Sequence, residues 1–205
     1  MRTTNKNASG KLLASVALVA AAAGVAGLGT FGSFTSTTSA SQAVGSGTVK
    51  VALGAAGAAN RLNVAATGLV PGDTVQRAVV LSNTGNQDLA TLSLTTTATT
   101  SSKLDTDATN GLQLSIDSCS TPWVEAGTSP AYTYTCTGTT KTVLASRPVV
   151  GSNVTLTNLG ALGSGSSDNL RVRLTLPDTA DNSFQGLDSV LGFDFTGTQR
   201  TATSR

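Results

Sequence analysis

An antiparallel β-sandwich is the fold class predicted by this 205-residue sequence, and three observations carry the prediction. Apolar and polar residues alternate with period two along most of the chain. Turn formers punctuate that alternation at short intervals. Beyond residue 33 no convincing helical periodicity is found. Many short strands without intervening helices favour sheet-on-sheet packing over a parallel sheet.

The first element is a leader. Arg2, Lys6 and Lys11 supply a basic start, and Leu12 to Gly29 is an uncharged run rich in Ala, Val, Leu and Gly. That pattern is a helical secretory signal peptide over residues 1–33. The run is close to the roughly 18–20 residues that span a bilayer, so a retained anchor is a rival. Its many Ala and Gly residues add little apolar area. Small residues permit a cut after Ala40, whereas the resemblance given below implies one between Ser33 and Phe34; about 165 to 172 residues then remain, enough for one domain with a real core.

Residues 34–47, uncharged and rich in Thr and Ser, form an N-terminal arm. The sandwich domain follows over 48–200, with a tail at 201–205. Its strands are read in order from "TVKVAL" (Val49, Val51, Leu53), "RLNVAA" (Leu62, Val64), "TVQRAVVLS" (Val75, Val79, Leu81) and "TLSLTTT" (Leu92, Leu94). Next come "LQLSIDSC" (Leu112, Leu114, Ile116), "YTYTC" (Tyr132, Tyr134) and "NVTLTNL" (Val154, Leu156). The clearest is "LRVRLTL", with Leu170, Val172, Leu174 and Leu176 on one face and Arg171, Arg173 and Thr175 on the other; "SVLGFDFTG" (Leu191, Phe193, Phe195) closes the series. Thr fills many outward positions, where its branched Cβ favours extended backbone. Turns are expected at "VPGD" (70–73), "NTGN" (83–86) and "GALGSGSSDN" (160–169), and loops at 54–60 and along the Thr/Ser tract 95–109.

Cys119 and Cys136 are the only cysteines. In an exported chain they read as one disulfide, whose loop closure contributes about 3 kcal/mol. Two free thiols available for metal or chemistry are the weaker alternative. The chain carries 13 basic and 11 acidic residues, but three of the cations belong to the leader, which leaves 10 against 11 from Phe34 onward. A near-neutral chain gives no argument for nucleic acid or an anionic surface as partner, and its copies repel one another weakly. Any membrane contact is expected only through the uncleaved leader.

The sequence contains no His. Ser-His-Asp and Cys-His nucleophile systems therefore lack their base, and the H-E-x-x-H zinc motif lacks both imidazole ligands. Glu125 is the only Glu, and the Asp residues lie near turns, where capping is the default role. No catalytic residue, cofactor or metal is expected. Asp178, Asp181, Asn182 and Asp188 form an oxygen-rich stretch that could ligate calcium, but without the ordered spacing of a dedicated loop. "LPDTA" at 176–180 lacks a following apolar stop-transfer stretch, so wall attachment is not expected. Asn153-Val154-Thr155 is a formal glycosylation sequon inside a strand and is discounted.

Several stretches together resemble the TasA/camelysin (CalY) family of secreted proteins, matured by a SipW-type signal peptidase. Gly29-Thr30-Phe31, Phe34-Thr35-Ser36 and Gly47-Thr48-Val49 resemble the family's junction. "GLVPGDTVQRAVVLSNTGNQDLATLSL" is similar to a second element, carrying Pro71, Gly72, Asp73, Asn83 and Gly85. "DNSFQGLDSVLGFDFTGTQ" is similar to the closing element, carrying Gln185, Gly186, Phe193, Phe195 and Gln199. These residues are expected to be structural. The resemblance implies a jelly-roll-like sandwich and a subunit of extracellular, biofilm-matrix filaments, in which the N-terminal arm (Phe34, Thr35, Ser36 onward) completes a neighbour's sheet. Its partners would be copies of itself and, during export, the signal peptidase. A disordered stub is the alternative for the arm. The rival functions are a family metallo-endopeptidase, disfavoured by the lack of His, and a monomeric surface binding module.

Overall fold

The computed structural model describes residues 35–39, 51–53, 62, 64–66 and 68–201. The leader, both residues flanking its expected cut, and the expected loop at 54–60 lie outside the described residues. Three short strands come first: β1 (Thr35–Ser39), β2 (Val51–Leu53) and β3 (Val64–Ala66). Then follow β4 (Thr74–Asn83), β5 (Leu89–Thr100), the single-turn helix α1 (Lys103–Thr106) and β6 (Gln113–Cys119). A hairpin of β7 (Val124–Thr128) and β8 (Ala131–Thr135) precedes β9 (Thr140–Pro148) and β10 (Gly151–Thr155). The last elements are β11 (Ser167–Thr175), a 3-10 turn at Asn182–Phe184 and β12 (Ser189–Gln199).

Every strand pairing is antiparallel. One sheet runs β1-β12-β5-β10, with β3 also on β12; the other runs β2-β4-β11-β6-β9. The expected sandwich is therefore what the chain forms, and its strands mostly alternate between the two sheets as they follow one another. Alternation decides which side chains meet between the sheets. Leu92, Leu94, Leu191, Phe193 and Phe195 come from the first, and Val79, Leu81, Leu114, Ile116, Leu170, Val172 and Leu174 from the second. Each such side chain contributes about 1.5–3 kcal/mol through its removal from water.

Two expectations need correction. The Thr/Ser tract at 95–109 is not a loop throughout: β5 continues to Thr100, with Thr95, Thr96, Thr97, Ala98 and Thr100 in register against β12. Threonine's β-branched backbone preference holds the extended chain there without apolar alternation. Beyond it, Ser102 caps α1 in a reciprocal box, its hydroxyl accepting from the helix backbone while the Asp105 carboxylate accepts from the Ser102 N–H. Helical signal is too short there to register as periodicity. The strands β7 and β9 also lie outside the series read from alternation. β7 is almost wholly exposed, and in β9 the adjacent Val143 and Leu144 are both buried where pairing with β6 is irregular.

Candidate functional site

β12 is flanked on one side by β5 and on the other by two short strands laid end to end. β3 pairs with Ser189–Leu191, and β1 with Asp194–Thr198, from Ser39↔Asp194 to Thr35↔Thr198. Neither strand pairs with Gly192 or Phe193. An unfilled edge would present free N–H and C=O groups, so a strand added there is held chiefly by backbone bonds. The sequence of β1, Thr-Ser-Thr-Thr-Ser, contains no large apolar residue and no charge.

Both ends of β12 are fastened. At its start, the fully buried Ser189 hydroxyl donates to Asp105 Oδ1 (2.6 Å) and lies 2.8 Å from Ser102 Oγ. Burial pushes the Asp105 carboxyl up, but hydrogen bonds from Ser189, the Ser102 backbone and Ser101 outweigh it and hold the pKa below the ordinary 3.8. Lys103 of the same turn donates to Ser183 Oγ (2.5 Å), pairs with Asp181 at 3.8 Å and lies over the Phe184 ring. At its end, Arg200 donates its backbone N–H to Asp88 O and its guanidinium to Gln87 Oε1.

The residues of the second family-like element shape two turns. Asp73 N–H donates to Val70 O across Pro71 and Gly72, with Gly72 at φ 91°, a left-handed value that glycine tolerates. The Asp73 carboxylate accepts from the Val70 N–H in return. Buried Asn83 accepts from Gly85 N–H and donates to Gln87 O and Leu162 O, tying the second turn to the loop before β11. Of the closing element, Gln185 ends the 3-10 turn, Gly186 adopts φ 70°, Phe193 and Phe195 are core, and Gln199 pairs with Leu89. Asn153 of the sequon is exposed at a bulge in β10, with φ 51°.

Outside the second sheet, the β7–β8 hairpin covers a cluster of charge that the sequence reading did not single out. Arg171 pairs with Asp117 at 2.7 Å, and Arg173 lies 3.5 Å from the same oxygen. The Trp123 ring sits 4.5 Å from the Arg171 guanidinium and its Nε1–H donates to Asn169 O. Arg77 lies 5.3 Å from the Tyr132 ring and donates to Pro130 O. The Tyr134 hydroxyl donates to Glu125, and its pKa is pushed up to about 12 by burial first and then by that carboxylate. The Cys119–Cys136 disulfide joins the end of β6 to the chain leaving β8 and so staples the hairpin down. Outward residues of three separate strands build this cluster. The recoverable signal was Arg171 and Arg173 at alternate positions together with the one Trp of the chain, inside the cysteine-bracketed segment.

The oxygen-rich stretch from Asp178 to Asp188 is spread out rather than convergent. Asp181 caps the 3-10 turn by accepting from Ser183, while Asp178 lies beside the Gly72 turn. Asp168 accepts from the Gly160 and Ala161 N–H groups. Among the described residues, no group of three or more His, Cys, Asp or Glu side chains is placed to hold a metal ion, and no helix is long and apolar enough to cross a membrane.

No curated protein matches the chain significantly. A family profile described as camelysin metallo-endopeptidase matches residues 8–204, which takes in most of the expected leader, the expected arm, both turn elements and β12. On a match of that extent, the chain belongs to the camelysin/TasA family.

Proposed function

We propose that the protein is exported through its leader and serves as a non-enzymatic structural subunit, assembling into extracellular filaments by donation of the N-terminal arm. The observation that carries this reading is the position of β1 on the outer edge of β12, where five polar residues occupy a backbone slot. In a filament, the same slot on one subunit receives the arm of the next. The chain between β1 and β2, residues 40–50, would span about 36–40 Å if extended, comparable with the width of a domain of this size. Thr and Ser carry no large apolar surface, so backbone pairing is the interaction that a subunit's own arm and its neighbour's would share. Near-neutral charge from Phe34 onward removes an electrostatic barrier to stacking copies.

Electron microscopy of the protein beginning at Phe34, and of a form lacking residues 34–47, tests the reading. Filaments are expected only when the arm is present. Filaments from the shortened form, or solitary particles from the longer one at high concentration, would remove the role assigned to β1. The family description favours a second reading, a metallo-endopeptidase. Casein digestion that is abolished by a chelator and survives repurification would establish it; the absence of His from the chain speaks against zinc bound in the usual imidazole manner.

A further inference from the structure

The hairpin leaves part of the second sheet's outer face open, and there lies a polar cleft of about 190 Å³ lined by Asp117, Thr140, Lys141, Thr142 and Arg171. Its residues come from β6, β9 and β11. The register explains the meeting of four of them: Asp117 is paired with Arg171 on one side and Thr142 on the other, with Thr140 opposite Cys119; Lys141, opposite Ser118, is the fifth lining residue. The charge is unbalanced. Asp117 accepts from Arg171 and lies within 3.5 Å of Arg173, so one carboxylate serves two guanidinium groups. Lys141, exposed on the cleft wall, has no ion-pair partner among the described residues. Of the lining residues, Arg171 has a buried Nε–H with no acceptor among the described residues. A buried donor left without an acceptor is costly, and a guanidinium is recognised best by a planar or tetrahedral oxyanion.

We propose that this cleft binds an oxyanion, the carboxylate or phosphate group of a ligand, with Arg171 as its fixed cation and Lys141 as its mobile one. The hydroxyls of Thr140 and Thr142 supply neutral donors beside them. Asp117 has two effects: it orients Arg171 and it sets an upper limit on affinity by competing for the same guanidinium. Specificity for the anionic group over chloride follows from several donors acting together, since chloride offers a single spherical acceptor.

The purified, disulfide-bonded protein is titrated at constant ionic strength with sodium phosphate, sodium acetate or sodium chloride, and the amide resonances of Thr140–Thr142 are followed by NMR. Saturable shifts with phosphate, acetate or both, exceeding those with chloride, are expected. A response to one oxyanion alone identifies which group the ligand carries. Lys141→Ala, at an exposed site, should weaken binding about two- to fivefold while leaving the fold intact, the effect of one partly exposed charge. Asp117→Asn should strengthen binding; if it unfolds the protein, the Lys141→Ala comparison decides alone. Shifts equal for all three salts, or unchanged by Lys141→Ala, would overturn the proposal.

Discussion

The β7–β8 hairpin and the strand β1 each cover a part of the sandwich that would otherwise meet water, and they are built of different residues. The hairpin carries a disulfide, an aromatic ring over a guanidinium, and side-chain hydrogen bonds from Trp123 and Arg77 to backbone carbonyls. β1 carries a run of five backbone register pairs and a sequence of small hydroxyl residues. A cover secured by specific side chains is specific to one place on one molecule. A strand paired through its backbone can fit any copy of the same edge, which is the property a donated strand requires.

Removing the staple should have the largest effect. Replacing Cys119 and Cys136 by Ser is expected to cost about 3 kcal/mol, seen as a lower urea midpoint. Hydrogen exchange would sharpen the comparison: amides of Val124–Thr135 should lose protection while those of β5 and β12 keep theirs. Equal loss throughout would mean that the hairpin and the core unfold as one unit.

A smaller effect is expected at the fastening of β12. Ser189→Ala removes a buried donor to the Asp105 carboxylate and should cost about 2 kcal/mol at neutral pH. Because the folded pKa of Asp105 lies below the unfolded value of 3.8, its stabilisation is complete above that pH and is lost as pH falls through the lower folded value. The unmodified protein should therefore lose stability below about pH 3.8 more steeply than the Ser189→Ala variant, as urea midpoints across that range would reveal. Parallel curves would mean that Asp105 does not sense Ser189.

The smallest effect should come from the arm itself. Deleting residues 34–47 is expected to change the unfolding free energy of the isolated subunit, read from urea titration, by less than about 1 kcal/mol, since β1 contains no large apolar residue. A loss comparable with that of the disulfide would make β1 a permanent part of the subunit and would remove the contrast with the hairpin.

Much of this architecture was legible in the sequence, and the reason is physical. β6, β11 and β12 each bury one face and so alternate cleanly, as Leu170, Val172 and Leu174 do between Arg171 and Arg173. Where burial departs from period two, the pattern fails. Val143 and Leu144 sit side by side in β9, β7 buries almost nothing, and the far half of β5 is written in threonine. The turn residues Pro71, Gly72 and Asn83 were legible because their backbone conformations and caps are local properties. The cleft was not, because Asp117, Thr142 and Arg171 are brought together only by cross-strand register.

The interruption at Gly192 and Phe193 divides the rim of β12 into two independent berths. The inner berth can keep β3 while the outer one changes occupant, so an exchange disturbs five residues of pairing and leaves the remainder of the rim in place. A single long strand in both positions would have to be peeled away along its whole length before another could enter. Segmentation of the rim would thereby confine the proposed exchange to the stretch from Asp194 to Thr198.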